Sequence, residues 1–331
     1  MEWSRDRGLV LRMAVTLALL GVVACVFFGI VYGVVVVFLL GIEVHGLLPA
    51  GSSVWLGFLV TGLVVGPIVY WEYARDPLAL RFVKTVPRQP VSERPDLLQR
   101  TVEQLAHHAD LPVPTVVVAE SEFPTAYTSG LTPDRATIVV TSALLDTLDA
   151  TERRAVLAHE LAHIKHRDVA VMTVASVPLE MARSIKGWAD SKRYRSGGAS
   201  AWYVVSGVFW MLGRLLIRAL SRYRELAADR GAVTLTGSPV ALASAITKLS
   251  KQRGDIPSED FRRKRGSSEA FSIVPIDTPV REPVRIGPRG ERLPLHHWYM
   301  YSVRKLTASL TNTHPPLDYR LERLREIETE L

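Results

Sequence analysis

From Leu9 to Ile42 the chain is almost wholly apolar, broken only by Arg12 near its start. A helix needs about 20 apolar residues to cross a hydrocarbon core of about 30 Å, and this run is longer than that. Lipid offers no hydrogen bonds to an open backbone, so the run can fold only as a membrane helix or as a helix buried in protein. Val54 to Tyr70 is a second run of the same kind. A cleaved signal peptide has a shorter apolar core and a small-residue cleavage site, which the first run lacks in any clear form, so both runs are read as retained membrane helices.

The charge pattern supplies an orientation. The net charge of +7 invites a nucleic-acid reading. Yet Arg5 and Arg7 precede the first run, with Arg12 near its start, and Arg75, Arg81, Lys84 and Arg88 follow the second. The connector from Glu43 to Ser53 has no Lys or Arg. Positive charge stays on the cytoplasmic side, so the N-terminus and the segment after Tyr70 are expected inside. The basic balance is topology, and no recognition motif calls for a nucleic acid. The single cysteine, Cys25, lies in the first apolar run, which rules out an intramolecular disulfide and a thiolate zinc cluster.

Beyond Pro87, Pro90 and Pro95 the pattern becomes that of a soluble domain. Asp96 is placed to cap a helix from Leu97 to His108, with Leu97, Leu98, Val102 and Leu105 on one face. Pro114 to Ala119 and Arg135 to Thr141 read as strands, with a loop from Phe123 to Gly130 between them. Ser142 to Leu148 reads as a short helix, and Asp149 with Glu152 marks the start of the next one.

That next helix carries His159-Glu160-Leu161-Ala162-His163. Two histidines four apart on a helix face the same way and can hold one zinc ion, while the glutamate beside the first reaches water held there. His166 falls on the same stripe, but three ligands on one helix face crowd a tetrahedral ion.

Val169 to Met181 and Ala201 to Leu220 are apolar again, separated by the polar stretch Lys186 to Ser200. The first is short for a span, the second contains Arg214 and Arg218, and the connector is basic. A pair of spans and a re-entrant hairpin both remain open. Next comes Ser221-Arg222-Tyr223-Arg224-Glu225-Leu226-Ala227-Ala228-Asp229. Glu225 is a candidate third ligand, and Asp229, four residues on, a candidate acceptor for a ligand imidazole. The rival reading is a pair of surface acids bridged to Arg222, Arg224 and Arg230. Further on, Pro239 to Gln252 reads as a helix, Arg253 to Pro294 as a basic, proline-rich segment without periodicity, and Asp318 to Leu331 as a charged helix with Leu321, Leu324 and Ile327 on one side.

Three stretches carry a family likeness: Leu157 to Asp168, Ser221 to Asp229, and Thr311-Asn312-Thr313-His314-Pro315-Pro316-Leu317. With the two N-terminal membrane helices in front and the hydrophobic hairpin between, the chain resembles the HtpX family of membrane zinc proteases, relatives of the CAAX prenyl proteases. The likeness implies His159, His163 and Glu225 as ligands of one zinc ion per chain, Glu160 as general base, and a substrate-binding strand at Ile138, Val139 and Val140. Those three residues suit an exposed edge strand that pairs with an extended peptide. His314 is a candidate donor to the oxyanion.

The expected fold is a mainly α membrane protein. Residues 1–90 form the membrane region, with spans of about 9–42 and 54–70. Residues 91–331 form an α+β, zincin-like metalloprotease domain with a small sheet and an active-site helix. It includes the hairpin at 169–220 and a flexible basic segment at 253–294. The expected activity is endopeptidase cleavage of membrane or misfolded proteins in quality control or stress response, at the cytoplasmic face of the plasma membrane. Polypeptides and the bilayer are the expected partners, and nucleic acid is not. The alternative is a non-catalytic membrane adaptor with a structural zinc.

Overall fold

The computed structural model describes residues 7–74, 95–122, 124–192, 197–254 and 315–330. In chain order the elements are α1 (Arg7–Val44), α2 (Ser52–Ala74), α3 (Pro95–His108), β1 (Thr115–Ala119), β2 (Ala126–Ser129), β3 (Thr137–Thr141), α4 (Ser142–Thr147), α5 (Ala150–Lys165), α6 (Asp168–Lys192), α7 (Gly197–Thr236), α8 (Pro239–Gly254) and α9 (Leu317–Glu330). The chain divides into two compact units, one built from Phe82–Val169 and Ser221–Leu331, the other from Arg7–Arg81 and Ala170–Leu220.

The second unit holds the apolar runs. α1 spans 38 residues and α2 spans 23, each long enough to cross a bilayer. The stretch Trp202–Thr236 of α7 is also long and apolar enough. Leu11, Val37, Phe38 and Trp55 point outward, an apolar surface that suits lipid and not water. Between the helices Glu43 accepts hydrogen bonds from the Gly51 and Ser53 amides and the Ser53 hydroxyl, tying off the start of α2. Gly57 lets α2 approach α1 closely, since a Cβ there would lie 2.6 Å from Val36 Cγ2. Phe27, midway along α1, packs with Met181 and Ala182 of α6 and against Phe209 and Trp210 of α7. Lys186 Nζ lies 5.1 Å from the Tyr203 ring centroid and 5.2 Å from that of Trp210, whose ring also faces the Arg214 guanidinium at 5.1 Å.

The first unit contains the sheet. Its order is β1-β3-β2, with β1 parallel and β2 antiparallel to β3. This corrects two expectations. Ala126–Ser129, read as part of a loop, is a strand, with Thr128 opposite Ile138. β3 is therefore central and not an edge: both its backbone edges are paired, and Ile138, Val139 and Val140 are buried. An incoming peptide cannot add a strand there. β2 is the outer strand on that side, but all four of its residues are buried as well.

α3 begins at Pro95, whose fixed φ suits a first helical position, so Asp96 lies inside the helix and not at the position before it. Its buried face is Leu98, Val102, Leu105 and Ala106, while Leu97 is exposed. α5 starts with a full capping box, in which Asp149 accepts from the Thr151 and Glu152 amides and Glu152 accepts from the Asp149 amide. From Ala155 to Ile164 every residue of α5 is buried. The helix packs against β2, α3 and α8, at the centre of a core completed by Ala232 and Val233 of α7 and Leu324 of α9. α6 and α7 are each continuous, so the helix that begins in the apolar hairpin runs on through Glu225 and Asp229. His314 and all but the first two residues of Arg253 to Pro294 lie outside the described residues.

Candidate metal centre

α5 presents His159 and His163 one turn apart, and α7 brings Glu225 opposite them. The two Nε2 atoms lie 3.1 Å apart. Glu225 Oε2 is 3.6 Å from His159 Nε2, and Oε1 is 3.7 Å from His163 Nε2. Ligand atoms of a tetrahedral zinc, at bond lengths of about 2.0–2.2 Å, stand about 3.4 Å from one another. All three residues are buried.

The chemistry of the donors fits a cation. His163 Nδ1 is 2.6 Å from Asp168 Oδ2, and His159 Nδ1 is 3.0 Å from Asp229 Oδ1. A carboxylate at each Nδ1 keeps the proton there, so both Nε2 lone pairs point inward at each other. Two facing lone pairs repel unless a cation lies between them. His159 reports the same demand: burial alone would push its imidazole down, but Asp229 and Glu225 raise it to about 9. The pocket favours positive charge, which a divalent ion supplies.

Glu160 points to the other side of the pair. Its Oε2 accepts a hydrogen bond from Thr128 Oγ1 at 2.8 Å, and its Oε1 is buried with no hydrogen-bond partner among the described residues. Burial pushes its carboxyl up, only partly offset by the two histidines and Thr128. A raised carboxyl beside a metal site is suited to taking and giving a proton. A cleft beside His163 is walled by Thr128, Gly130, Leu131, Pro133 and Val169. Gly130, at φ +112°, leaves no room for a side chain, since a Cβ there would meet the Arg135 carbonyl at 2.5 Å.

The structure thus gathers His159, Glu160, His163, Glu225 and Asp229. Ile138, Val139 and Val140 stay inside the sheet, and it is β2, through Thr128, that touches Glu160. His166 ends α5 as its C-cap and is not among the grouped donors. Four functional neighbours have no clear signal in the sequence. Thr128 sits in a stretch read as a loop. Asp168, which a continuous helix would place on an apolar stripe, is turned back to His163 because Arg167 adopts φ +54° between α5 and α6. Arg224 lies 3.0 Å from Asp168 Oδ1. Arg320, fully buried in α9, holds Asp229 through Nε at 2.8 Å and Nη2 at 2.5 Å.

Comparison with known proteins finds relatives over most of the chain. The model of peptidase family M48 matches residues 92–328. Protease HtpX homolog 1 of Streptomyces coelicolor is 36% identical over 338 aligned residues, covering 100% of this chain and 96% of the relative. Protease HtpX homolog 2 of Methanosarcina acetivorans is 36% identical over 281 residues, 83% of this chain and 88% of the relative. Among solved structures, the crystal structure of S. mikatae Ste24p matches with a TM-score of 0.43 and 17% identity, covering 93% of this chain and 66% of that one. The likeness to HtpX proteases expected from the three motifs holds across nearly the whole sequence, and the chain belongs to peptidase family M48.

Proposed function

We propose that this protein is a membrane-embedded zinc endopeptidase, with one zinc ion per chain held by His159, His163 and Glu225. The observation that carries the reading is the convergence of these three buried donors, at ligand-to-ligand spacing, beside an ionisable glutamate. Zinc bound there supplies Lewis acidity, lowering the pKa of a coordinated water towards about 7 and polarising the scissile carbonyl. Glu160 takes the proton of the attacking water and returns it to the leaving amine. Asp168 and Asp229 fix the histidine tautomers. His314 is assigned the oxyanion hydrogen bond. Residues 91–331 form the zincin-like catalytic part and residues 1–90 the anchor.

His163 and Glu225 serve one ion, so the chain between them crosses the membrane an even number of times or not at all. The charge rule puts the segment after Tyr70 inside, and with it the site at the cytoplasmic face of the plasma membrane. Substrates are then membrane or misfolded polypeptides presented there, as quality control or a stress response requires. An adaptor with a structural zinc has no use for a glutamate buried beside the ion with one oxygen unengaged.

Purified protein in detergent is expected to carry about one zinc per chain. Glu160→Gln should keep the metal and lose about 10²–10⁴-fold in cleavage of an unfolded protein substrate. Wild-type turnover by that variant would refute the proposal.

A further inference from the structure

Each ligand histidine ends a three-residue chain of the same kind. His163 Nδ1 meets Asp168 Oδ2, and Asp168 Oδ1 meets Arg224 Nε at 3.0 Å. His159 Nδ1 meets Asp229 Oδ1, and that same oxygen takes Arg320 Nη2 while Oδ2 takes Arg320 Nε. Arg224 and Arg320 are 2% and 0% exposed, which is rare for arginine without a specific partner. The two chains draw on different elements. Arg224 precedes Glu225 on α7, whereas Arg320 comes from α9 near the C-terminus.

We infer that Arg224 and Arg320 are positioning residues of the metal centre, each holding the aspartate that orients one ligand histidine, so that metal affinity depends on α9 being docked. This rests on the zinc reading above. The charge count supports it. Two buried aspartates, Asp168 and Asp229, face two buried guanidiniums, one each, so neither carboxylate stands beside a ligand histidine without a countercharge. Without them each aspartate would be a buried carboxylate with no arginine to fix its direction. An aspartate free to turn away no longer holds Nδ1, and the imidazole loses its direction.

The fork geometry makes Arg320 more than a charge. Its Nε and Nη2 grip both oxygens of Asp229, and Nη1 lies 3.8 Å from Glu225 Oε2, so one guanidinium touches a ligand and the partner of another. A lysine supplies one point of contact and cannot reproduce this.

The test uses the full chain in detergent, with cobalt(II) as a spectroscopic stand-in for zinc and zinc affinity measured by chelator competition. R320Q is expected to bind zinc about 10–100-fold more weakly and to shift the cobalt d–d bands. R320K should restore only part of the affinity. D229N should weaken binding to a similar degree, and R320Q/D229N should lose no more than the worse single variant, because both act through one hydrogen-bonded chain. If R320Q does not fold, R320K and D229N carry the same expectation, with circular dichroism and melting of the metal-free proteins at wild-type values. Unchanged affinity and cobalt spectra in these variants, or losses that simply add, overturn the relay. Wild-type protein that takes up no metal overturns the zinc reading and the relay together, whereas wild-type binding with unaffected variants overturns the relay alone.

Discussion

Among the described residues Glu160 is held by one side chain. Thr128 Oγ1 donates to its Oε2, which leaves Oε1 as the oxygen available to water. Thr128→Val removes the donor at nearly constant volume. It should lower kcat about tenfold with little change in KM, since a charge-assisted hydrogen bond is worth about 1.5–3 kcal/mol and only its orienting share acts on the reaction. Thr128→Ser should recover most of the rate. Steady-state kinetics on an unfolded substrate distinguishes the two. For His314 the expected loss on His314→Ala is about 10²–10³ in kcat at unchanged zinc content, the usual cost of one oxyanion donor. A wild-type kcat there would remove His314 from the mechanism. At this scale the two candidate histidine ligands are legible in the sequence because helical spacing aligns i and i+4, while Glu225 is implied by the family likeness. The residues that hold those ligands are not. Arg320 sits in a helix crowded with charge, and only the position of Asp229 makes it a buried partner and not a surface cation.

Among the elements, α5 is the best anticipated, since the Asp149–Glu152 capping box states its start. Glu152 also ties α5 to α8, accepting from Lys248 Nζ and Ser244 Oγ at 2.6 Å each. Burial alone would push its carboxyl up, but Lys248, Ser244 and the Asp149 amide outweigh it and hold it below the usual carboxylate range. A depressed folded value means the tie contributes fully above the unfolded value of about 4.3 and is lost as pH falls through the folded one. Glu152→Gln should therefore cost about 1 kcal/mol at pH 7. The gap to wild type should close as thermal melts are moved to about pH 3. β2 was illegible because Ala-Tyr-Thr-Ser lacks a strand's alternation, and pairing to β3 makes it one.

For the hairpin, packing within the second unit adds what hydropathy leaves open. Phe27, midway along α1, meets Met181 and Ala182, so α6 continues from Ala182 to Lys192 for about 15 Å at 1.5 Å per residue, about half a hydrocarbon core. Lys186 is expensive there, at about 2.5–3.5 kcal/mol for a charge at the centre of a span. The faces of Tyr203 and Trp210 offset about 2 kcal/mol or more of that when desolvated. Cysteines placed between Lys186 and Ser200 in a Cys25-free background should thus be labelled by an impermeant reagent added outside, as should the Glu43 to Ser53 loop. Labelling of the loop alone would mean a re-entrant hairpin.

For the molecule as a whole, the two units explain why a single-sequence reading succeeds unevenly. On the proposed zinc reading a metal would tie α5 to α7, as Arg320 ties α9 to α7, so chelation should loosen the unit that holds the sheet. Zinc at 1,000 times its Kd stabilises by about 4 kcal/mol, and a chelator should lower the melting temperature accordingly, with little effect on Glu225→Gln protein that has already lost a ligand. The sequence by itself determined what depends on local period and composition: the apolar runs, their charge asymmetry, the motif helix with its cap, and the two histidines of the candidate centre, the third donor coming from the family likeness. These features repeat at fixed spacing, and any fold that satisfies them leaves the same trace. Only the tertiary structure decided that β3 is central, that Thr128 serves Glu160, and that Asp168 turns back to His163 across Arg167. It also decided that two arginines far apart in the chain pair with the two aspartates beside the candidate centre. Those facts depend on which distant groups share a buried, poorly solvated space, where a charge must find its partner, and no periodicity along one strand or helix records that.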